Sequence, residues 1–209
     1  MATAWRCYTR CRRDYRQMCN CPRTPVSSRI RGCAEHLPLG PRPIVSFSGE
    51  SKVLVVGQAP GTKVHETGIA WNDPSGDRLR TWLNVSRDDF YDTRNFAIVP
   101  MGFCYPGRGK SGDNPPRPEC APLWMKRITD SLPDIKMTIL IGQYALNYYL
   151  GDRRKKTLTE TVRNWREYFP QFVVLPHPSP RNNIWLKKNE WFEEELVPEL
   201  SGIVKGFLG

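Results

Sequence analysis

The stretch Ser51–Asp77, SKVLVVGQAPGTKVHETGIAWNDPSGD, decides the fold that we predict for this chain. Its apolar run Val53–Val56 is typical of a strand buried on both faces of a parallel sheet. The glycines and the proline of Gly57–Gly61 (the GQAPG turn) predict a tight turn where that strand ends. Open α/β sheets bind ligands at this edge, so the turn is a candidate site. The alternative is that it only connects a strand to a loop.

A second apolar run, Phe172–Leu175, leads directly into His177–Asn182 (the HPSPRN turn). Because parallel strands end at the same edge of a sheet, we expect both turns to meet at one rim. Two further strands are predicted at Asn95–Met101 and Met137–Ile141. The chain is therefore predicted to be an α/β protein, a three-layer α/β/α sandwich with a central four-stranded parallel sheet.

Helical patterns alternate with these strands, as the connections of a parallel sheet require. One of them, Pro74–Leu83, has Leu79, Trp82 and Leu83 on one side and Arg78 and Arg80 on the other. Pro, Gly, Lys and Arg crowd residues 105–118, which predicts a long, exposed basic loop. Further helices are predicted at Leu123–Leu132, Gln143–Leu150, Thr157–Tyr168 and Asn189–Phe207, the last bent at Pro198.

Composition favours a single domain that meets nucleic acid. The chain has 209 residues and a formal net charge of +10, which suits contact with phosphate backbones. We expect one domain over residues 32–209, after a basic extension, residues 1–31, that is predicted to be disordered. This extension could bind DNA, act as an organelle presequence or have no role.

The apolar and cysteine patterns restrict the location of the protein. No apolar run is long enough to predict a membrane span. The seven cysteines without a secretory apolar region favour a reducing compartment. We therefore expect an intracellular protein, cytoplasmic in a bacterium, or nuclear or mitochondrial in a eukaryote.

The two turns resemble the signature motifs of the uracil-DNA glycosylase superfamily. The segment Asp73–Asp77 (the DPSGD segment) and the pair Cys104 and Cys120 resemble its iron–sulfur members, families 4 and 5. The resemblance covers residues 33–192. It implies a monomeric DNA repair glycosylase that flips a deaminated base, uracil first, and hydrolyses its N-glycosidic bond without a nucleotide cofactor. The expected partner is DNA containing uracil or another deaminated base.

Cleavage of this bond leaves negative charge on the departing base, so a hydrogen-bond donor is needed there. The resemblance implies that His177 lies beside uracil O2; the alternative is a structural histidine.

Several branches carry a carboxylate in the first motif, whereas this chain has Gln58 and Ala59. Family 5 uses an aspartate of the DPSGD segment instead, which implies that Asp73 positions the attacking water. Asp73 could also be a helix N-cap, and Gln58 is a second candidate for orienting the water.

The resemblance also suggests which residues contact the base and the DNA. Trp71 is expected to stack on uracil rather than to be a core residue, and Gly57, Ala59 and Phe103 to border the base. No counterpart of the family 4 uracil-reading Asn lies near Met101 or Phe103, which leaves hypoxanthine open as a substrate. In the HPSPRN turn the predicted DNA contacts are Ser179, Pro180, Arg181 and Asn182, with Arg181 as the wedge or, alternatively, an ordinary exposed arginine.

The cysteine spacing resembles part of a [4Fe-4S] site. Cys33, Cys104 and Cys120 match three of its ligands, but residue 30, where the resemblance places a further ligand, is Ile. A fourth ligand would have to be Cys19, Cys21 or His36. A complete cluster, a degenerate site and a zinc site all remain open.

Two functions from other classes fit the same residues. One is a non-catalytic protein that binds a DNA lesion or an abasic site, having lost the carboxylate of the first motif. The other is an RNA-binding protein that uses residues 108–117 as its surface.

Overall fold

The computed structural model describes residues 37–110 and 112–208. The extension 1–31, Cys33 and His36 lie outside this range, so the predictions made for them stay predictions. Six strands are present in the described range: β1 Val53–Val56, β2 Phe96–Ile98, β3 Arg108–Gly109, β4 Gly112–Asp113, β5 Met137–Ile141 and β6 Phe172–Leu175.

Four of these strands form the predicted parallel sheet, in the order β2-β1-β5-β6. The bounds of β1, β5 and β6 are as predicted. β2 is shorter than the predicted strand Asn95–Met101. The chain nevertheless keeps alongside the GQAPG turn, since Met101 N donates to Gly57 O over 2.9 Å. The end of β2 therefore supports the turn.

Eight α-helices occur in the described range: α1 Thr62–Thr67, α2 Pro74–Leu83, α3 Arg87–Tyr91, α4 Cys120–Thr129, α5 Gly142–Leu150, α6 Leu158–Arg163, α7 Asn183–Lys188 and α8 Val197–Leu208. The sequence did not predict α1, α3 and α7, because five or six residues are too few to show a helical period. The predicted helix Thr157–Tyr168 is divided into α6 and a 3₁₀ turn, Trp165–Glu167. A π-helical turn, Phe192–Leu196, precedes α8, so regular helix starts later than predicted. No helix among the described residues is long and apolar enough to cross a membrane.

For parallel strands in the order β2-β1-β5-β6, the general right-handedness of crossover connections places helices on both faces of the sheet. The connection from β1 to β2 carries α2, which packs against α8, and Trp82 meets Phe192 edge to face with ring centroids 4.8 Å apart. The connections that lead to β5 and β6 carry α4 and α5 across the other face. The fold is the predicted three-layer sandwich.

The structure corrects two predictions about exposure. Arg80, predicted on the polar side of α2, is only 7% exposed. The loop 105–118 is not simply exposed, because Tyr105, Pro106 and Gly107 are buried and β3 and β4 form an antiparallel hairpin. Both departures lie beside the carboxyl edge of the sheet.

The sheet interior should determine stability. We expect Leu140→Ala, in the middle of β5 and fully buried, to lower the free energy of unfolding by about 2–5 kcal/mol. The matched control is Leu39→Ala, since Leu39 is 58% exposed and should change stability by less than about 0.5 kcal/mol. Urea unfolding followed by circular dichroism measures both, and equal losses would contradict the assignment of this core.

Candidate active site

A cavity of about 440 Å³ opens at the carboxyl edge of the sheet. Both the GQAPG turn and the HPSPRN turn lie on its wall, as does the start of the DPSGD segment. Predicted site residues on the wall are Gly57, Gln58, Ala59, Trp71, Asp73, His177, Ser179, Arg181 and Asn182. The cavity is therefore built from turns that lie far apart in the sequence.

Trp71 and His177 face each other in this cavity. Their ring centroids lie 5.7 Å apart, with an angle of 34° between the ring planes. The indole lies directly on Gly57, where an added Cβ would come within 2.7 Å of Trp71 Cζ2. Trp71 is half-buried and also packs against the core, so its core and pocket roles coexist. The glycine of the GQAPG turn thus makes room for the flat wall of the cavity.

The backbone of Trp71 has a left-handed conformation, with φ of 56°. Such a conformation costs a bulky residue about 1–3 kcal/mol, so neighbouring groups must maintain it. Arg80 Nη1 donates to Trp71 O over 3.3 Å, and the Tyr91 hydroxyl donates to Ala70 O over 2.8 Å. Gly76 is required as well, because an added Cβ would lie 1.7 Å from Trp71 O. These contacts hold the indole over Gly57.

Arg80 is a buried cation with several partners. Its guanidinium donates to Asp77 Oδ1 over 2.5 Å and to the Tyr91 hydroxyl over 3.3 Å, and it lies over the ring of Phe90. Asp77, the last residue of the DPSGD segment, therefore pairs with this arginine while remaining 73% exposed. Burial raises the pKa of Tyr91, although Arg80 and Arg87 oppose the shift, so its hydroxyl keeps its proton. The sequence analysis did not identify Arg80 as a site residue, because Arg80 lies on the predicted polar side of the helix Pro74–Leu83.

His177 is held as a neutral imidazole. Burial lowers its pKa from the ordinary value of 6.5, and the negative charge of Asp73 opposes this shift. The first residue of α5, Gly142, lies next to it, since an added Cβ would be 3.7 Å from His177 Cβ. A neutral ring can donate one N–H to a ligand in the cavity.

Asp73 is both a helix cap and a cavity residue. Its Oδ1 accepts from Gly76 N over 2.8 Å, which caps α2, and Pro74 occupies the first helical position. A carboxylate has two oxygen atoms, so the cap leaves acceptor capacity for a ligand or a water. The two roles considered for Asp73 are therefore compatible.

Arg78 ties the HPSPRN turn to α2. Its Nη1 donates to Ser179 O over 3.3 Å and its Nη2 donates to Asn183 Oδ1 over 2.8 Å. Within the turn, Asn182 Nδ2 donates to His177 O over 2.7 Å. The side chain of Asn182 thus fixes the backbone of His177. Sequence reasoning did not identify Arg78 as part of the site, because the acceptor Ser179 lies 101 residues away.

The wall also contains residues that the sequence analysis assigned to a loop. Asp113 and Asn114 line the cavity from the hairpin side. The guanidinium of Arg181 lies against the same hairpin, because an added Cβ on Gly112 would be 2.6 Å from Arg181 Nη1. The composition of residues 105–118 predicted only a basic loop, so Asp113 and Asn114 were not identified as site residues.

The prediction that Phe103 borders the base requires a correction. Phe103 is fully buried in the core and is absent from the residues that line the cavity. Its carbonyl oxygen accepts from Ile44 N over 2.8 Å, which ties this segment to the chain before β1. The local sequence after β2 did not predict that Phe103 is buried in the core.

Comparison with known proteins identifies the family of this chain. The model of the "Uracil DNA glycosylase superfamily" matches residues 45–201, which is more than half of the chain. This protein belongs to the uracil DNA glycosylase superfamily. Its fold is also similar to a solution NMR structure from Methanosarcina acetivorans, described as "a putative Uracil DNA glycosylase", with 15% identity and a TM-score of 0.44. That match covers 75% of this chain and 94% of the other.

Two of the three cysteines proposed as iron–sulfur ligands, Cys104 and Cys120, lie in the described range. Cys104 is buried beside Leu37, and Cys120 begins α4, where burial raises its thiol pKa and favours the protonated form. Residues 37–110 and 112–208 contain no group of three His, Cys, Asp or Glu side chains that could hold a metal ion. The described donors therefore do not suffice for a cluster by themselves. Ligation by Cys33 stays a prediction.

The contact between Arg80 and Trp71 should be measurable as stability. We expect Arg80→Met to lower the free energy of unfolding by about 1–3 kcal/mol, because Trp71 O loses a buried charged donor. The control is Arg94→Met, since Arg94 also pairs with an aspartate but lies in solvent, and we expect no measurable change. Urea unfolding compares the two, and equal effects would contradict this role of Arg80.

The protonation of His177 is a second test. By NMR, its imidazole should titrate below pH 6.5, and Asp73→Asn should lower its pKa further by removing the charge that opposes the shift. In the unfolded chain the imidazole has its ordinary pKa and binds a proton more tightly than in the folded protein. The free energy of unfolding should therefore fall as the pH drops below about 6.5. Asp113→Asn, which removes the other cavity carboxylate, is the control. A pKa above 6.5 would contradict the burial argument.

Proposed function

We propose that this protein is a monofunctional DNA glycosylase that takes a deaminated base, uracil first, into the cavity and hydrolyses its N-glycosidic bond. The observation that carries the proposal is that His177 and Trp71 face one cavity with ring centroids 5.7 Å apart. A flat aromatic wall beside a neutral donor suits a flipped base, which needs stacking on its face and hydrogen bonds at its edge. The product is an abasic site.

Base departure requires stabilisation of negative charge. The bond between the sugar C1′ and the base nitrogen breaks, and its electron pair leaves with the base. His177, held neutral by burial, would donate its N–H to the oxygen on which this charge accumulates. A neutral donor avoids the cost of burying a charged imidazolium before the reaction.

The sugar left behind carries positive charge and is attacked by water. Asp73, on the wall beside His177, would stabilise that charge and orient the water through its remaining acceptor capacity. The water oxygen bonds to C1′, and its proton passes to the carboxylate and then to solvent or to the departed base. Gln58 also lines the cavity and could hold the water by a hydrogen bond.

The choice of base is the finer part of the proposal. Uracil, hypoxanthine and related deaminated bases present a carbonyl oxygen to a donor, and His177 alone does not distinguish them. Asn114 lies on the wall from the hairpin side, so a side-chain amide is present at the cavity although no Asn lies near Met101 or Phe103. A panel of oligonucleotides, each with one deaminated base, separates these substrates.

One observation favours a second candidate function. The GQAPG turn places Gln58, not a carboxylate, on the cavity wall. A protein that binds a lesion or an abasic site without cleaving would need the cavity and the HPSPRN turn but no strong water-orienting group. Binding without turnover is the expected behaviour in that case.

Cleavage of a uracil-containing oligonucleotide, revealed by alkaline strand scission, tests the main proposal. We expect the wild type to cleave and His177→Asn to lower the single-turnover rate by about 10²-fold or more. The control is His65→Asn, because His65 is buried but does not line the cavity.

Two results would contradict this assignment. If wild-type protein binds the oligonucleotide but leaves every deaminated base in place, the lesion-binding alternative is favoured. If His177→Asn and His65→Asn lose activity equally, His177 has no special part in the chemistry.

A further inference from the structure

The hairpin formed by β3 and β4 borders the opening of the cavity. Gly112 and Asp113 line the cavity from this side, and Arg181 of the HPSPRN turn lies against Gly112. A strand that places a base in the cavity and runs along this rim passes both elements. We propose that the hairpin binds the phosphodiester backbone of this strand through Arg108 and Lys110. The inference rests on the proposed function, which supplies the strand.

The hairpin is held in place by specific bonds. Strands of two residues are marginal by themselves, so other contacts must position them. Thr62 Oγ1 donates to the Tyr105 hydroxyl over 2.9 Å, and that hydroxyl donates to Asp113 Oδ1 over 3.3 Å. Asn114 N also donates to Gly107 O over 2.9 Å. The chain of bonds fastens the hairpin to the residue that follows the GQAPG turn.

The charges of the hairpin are available for a ligand. Arg108 and Lys110 are exposed, and neither forms an ion pair with another residue of the described range. The carboxylate of Asp113, which is paired with Arg108 in the register, accepts from Tyr105 instead. Cations that form no ion pair within the protein can neutralise phosphates and release the condensed counterions.

The position of these cations beside the cavity favours DNA as the partner over anionic surfaces in general. The hairpin that carries them borders a cavity on the edge of the sheet at which the two signature turns meet, and Ser179 and Arg181 of the HPSPRN turn line the same cavity. A backbone that runs along this rim of the cavity would meet the basic side chains of the hairpin and Arg181, which lies against Gly112. Phosphate contacts of this kind position a strand but carry no information about its sequence.

The test measures the salt dependence of DNA binding by the full chain. We expect Arg108→Ala and Lys110→Ala each to reduce the magnitude of the slope of log K against log salt concentration by about 0.7–0.9, the value for one phosphate contact. The loss should be the same for a uracil-containing and an unmodified oligonucleotide. The control is Lys136→Ala, which removes the same charge from the amino-terminal edge of the sheet, before β5.

The outcomes separate this inference from the proposed function. An unchanged slope in both hairpin variants, or an equal change in Lys136→Ala, would overturn the hairpin contact even if uracil is cleaved. A slope change confined to an RNA strand of the same sequence would also overturn it, in favour of RNA binding. A DNA slope change as expected, in a protein that cleaves no base, would support the hairpin contact while the glycosylase proposal fails.

Discussion

The cavity depends on the close contact between the Trp71 indole and the backbone of Gly57. The indole reaches Gly57 only because Trp71 has a left-handed backbone, and that backbone can lie at the start of α2 only because Gly76 has no side chain. Two glycines from two separate motifs are therefore required by one tryptophan. Close-packed atoms cannot overlap, so a Cβ at either position would displace the wall of the cavity.

Buried charge maintains this arrangement. Arg80 is placed inside the protein at a cost in hydration, which its bonds to Asp77, Tyr91 and the Trp71 carbonyl offset. On the other side, Arg78 attaches the HPSPRN turn to the same helix. One helix, α2, thus positions the aromatic wall, the carboxylate of Asp73 and the turn that carries His177. The chemistry proposed for the cavity needs all three at fixed distances.

Local patterns predicted much of the fold because burial follows them closely. Val53–Val56, Met137–Ile141 and Phe172–Leu175 are strands with the predicted bounds, and α2 begins and ends where its cap and its apolar spacing indicate. Phe103, Arg80 and the hairpin departed from expectation. In each case a contact from elsewhere in the chain decides the environment: Ile44 beside Phe103, Trp71 beside Arg80, and Thr62 through Tyr105 beside Asp113.

The sequence by itself determined the parallel sheet and the two turns at its carboxyl edge, because strand periodicity and turn chemistry are local properties. The resemblance of these turns to the superfamily motifs supplied the candidate residues His177, Trp71 and Asp73. Only the tertiary structure decided that Trp71 needs both Gly57 and Gly76, that Asp73 caps a helix while lining the cavity, and that a basic hairpin borders its opening. These are contacts between residues far apart in the chain. They depend on how the elements pack, which no single stretch specifies.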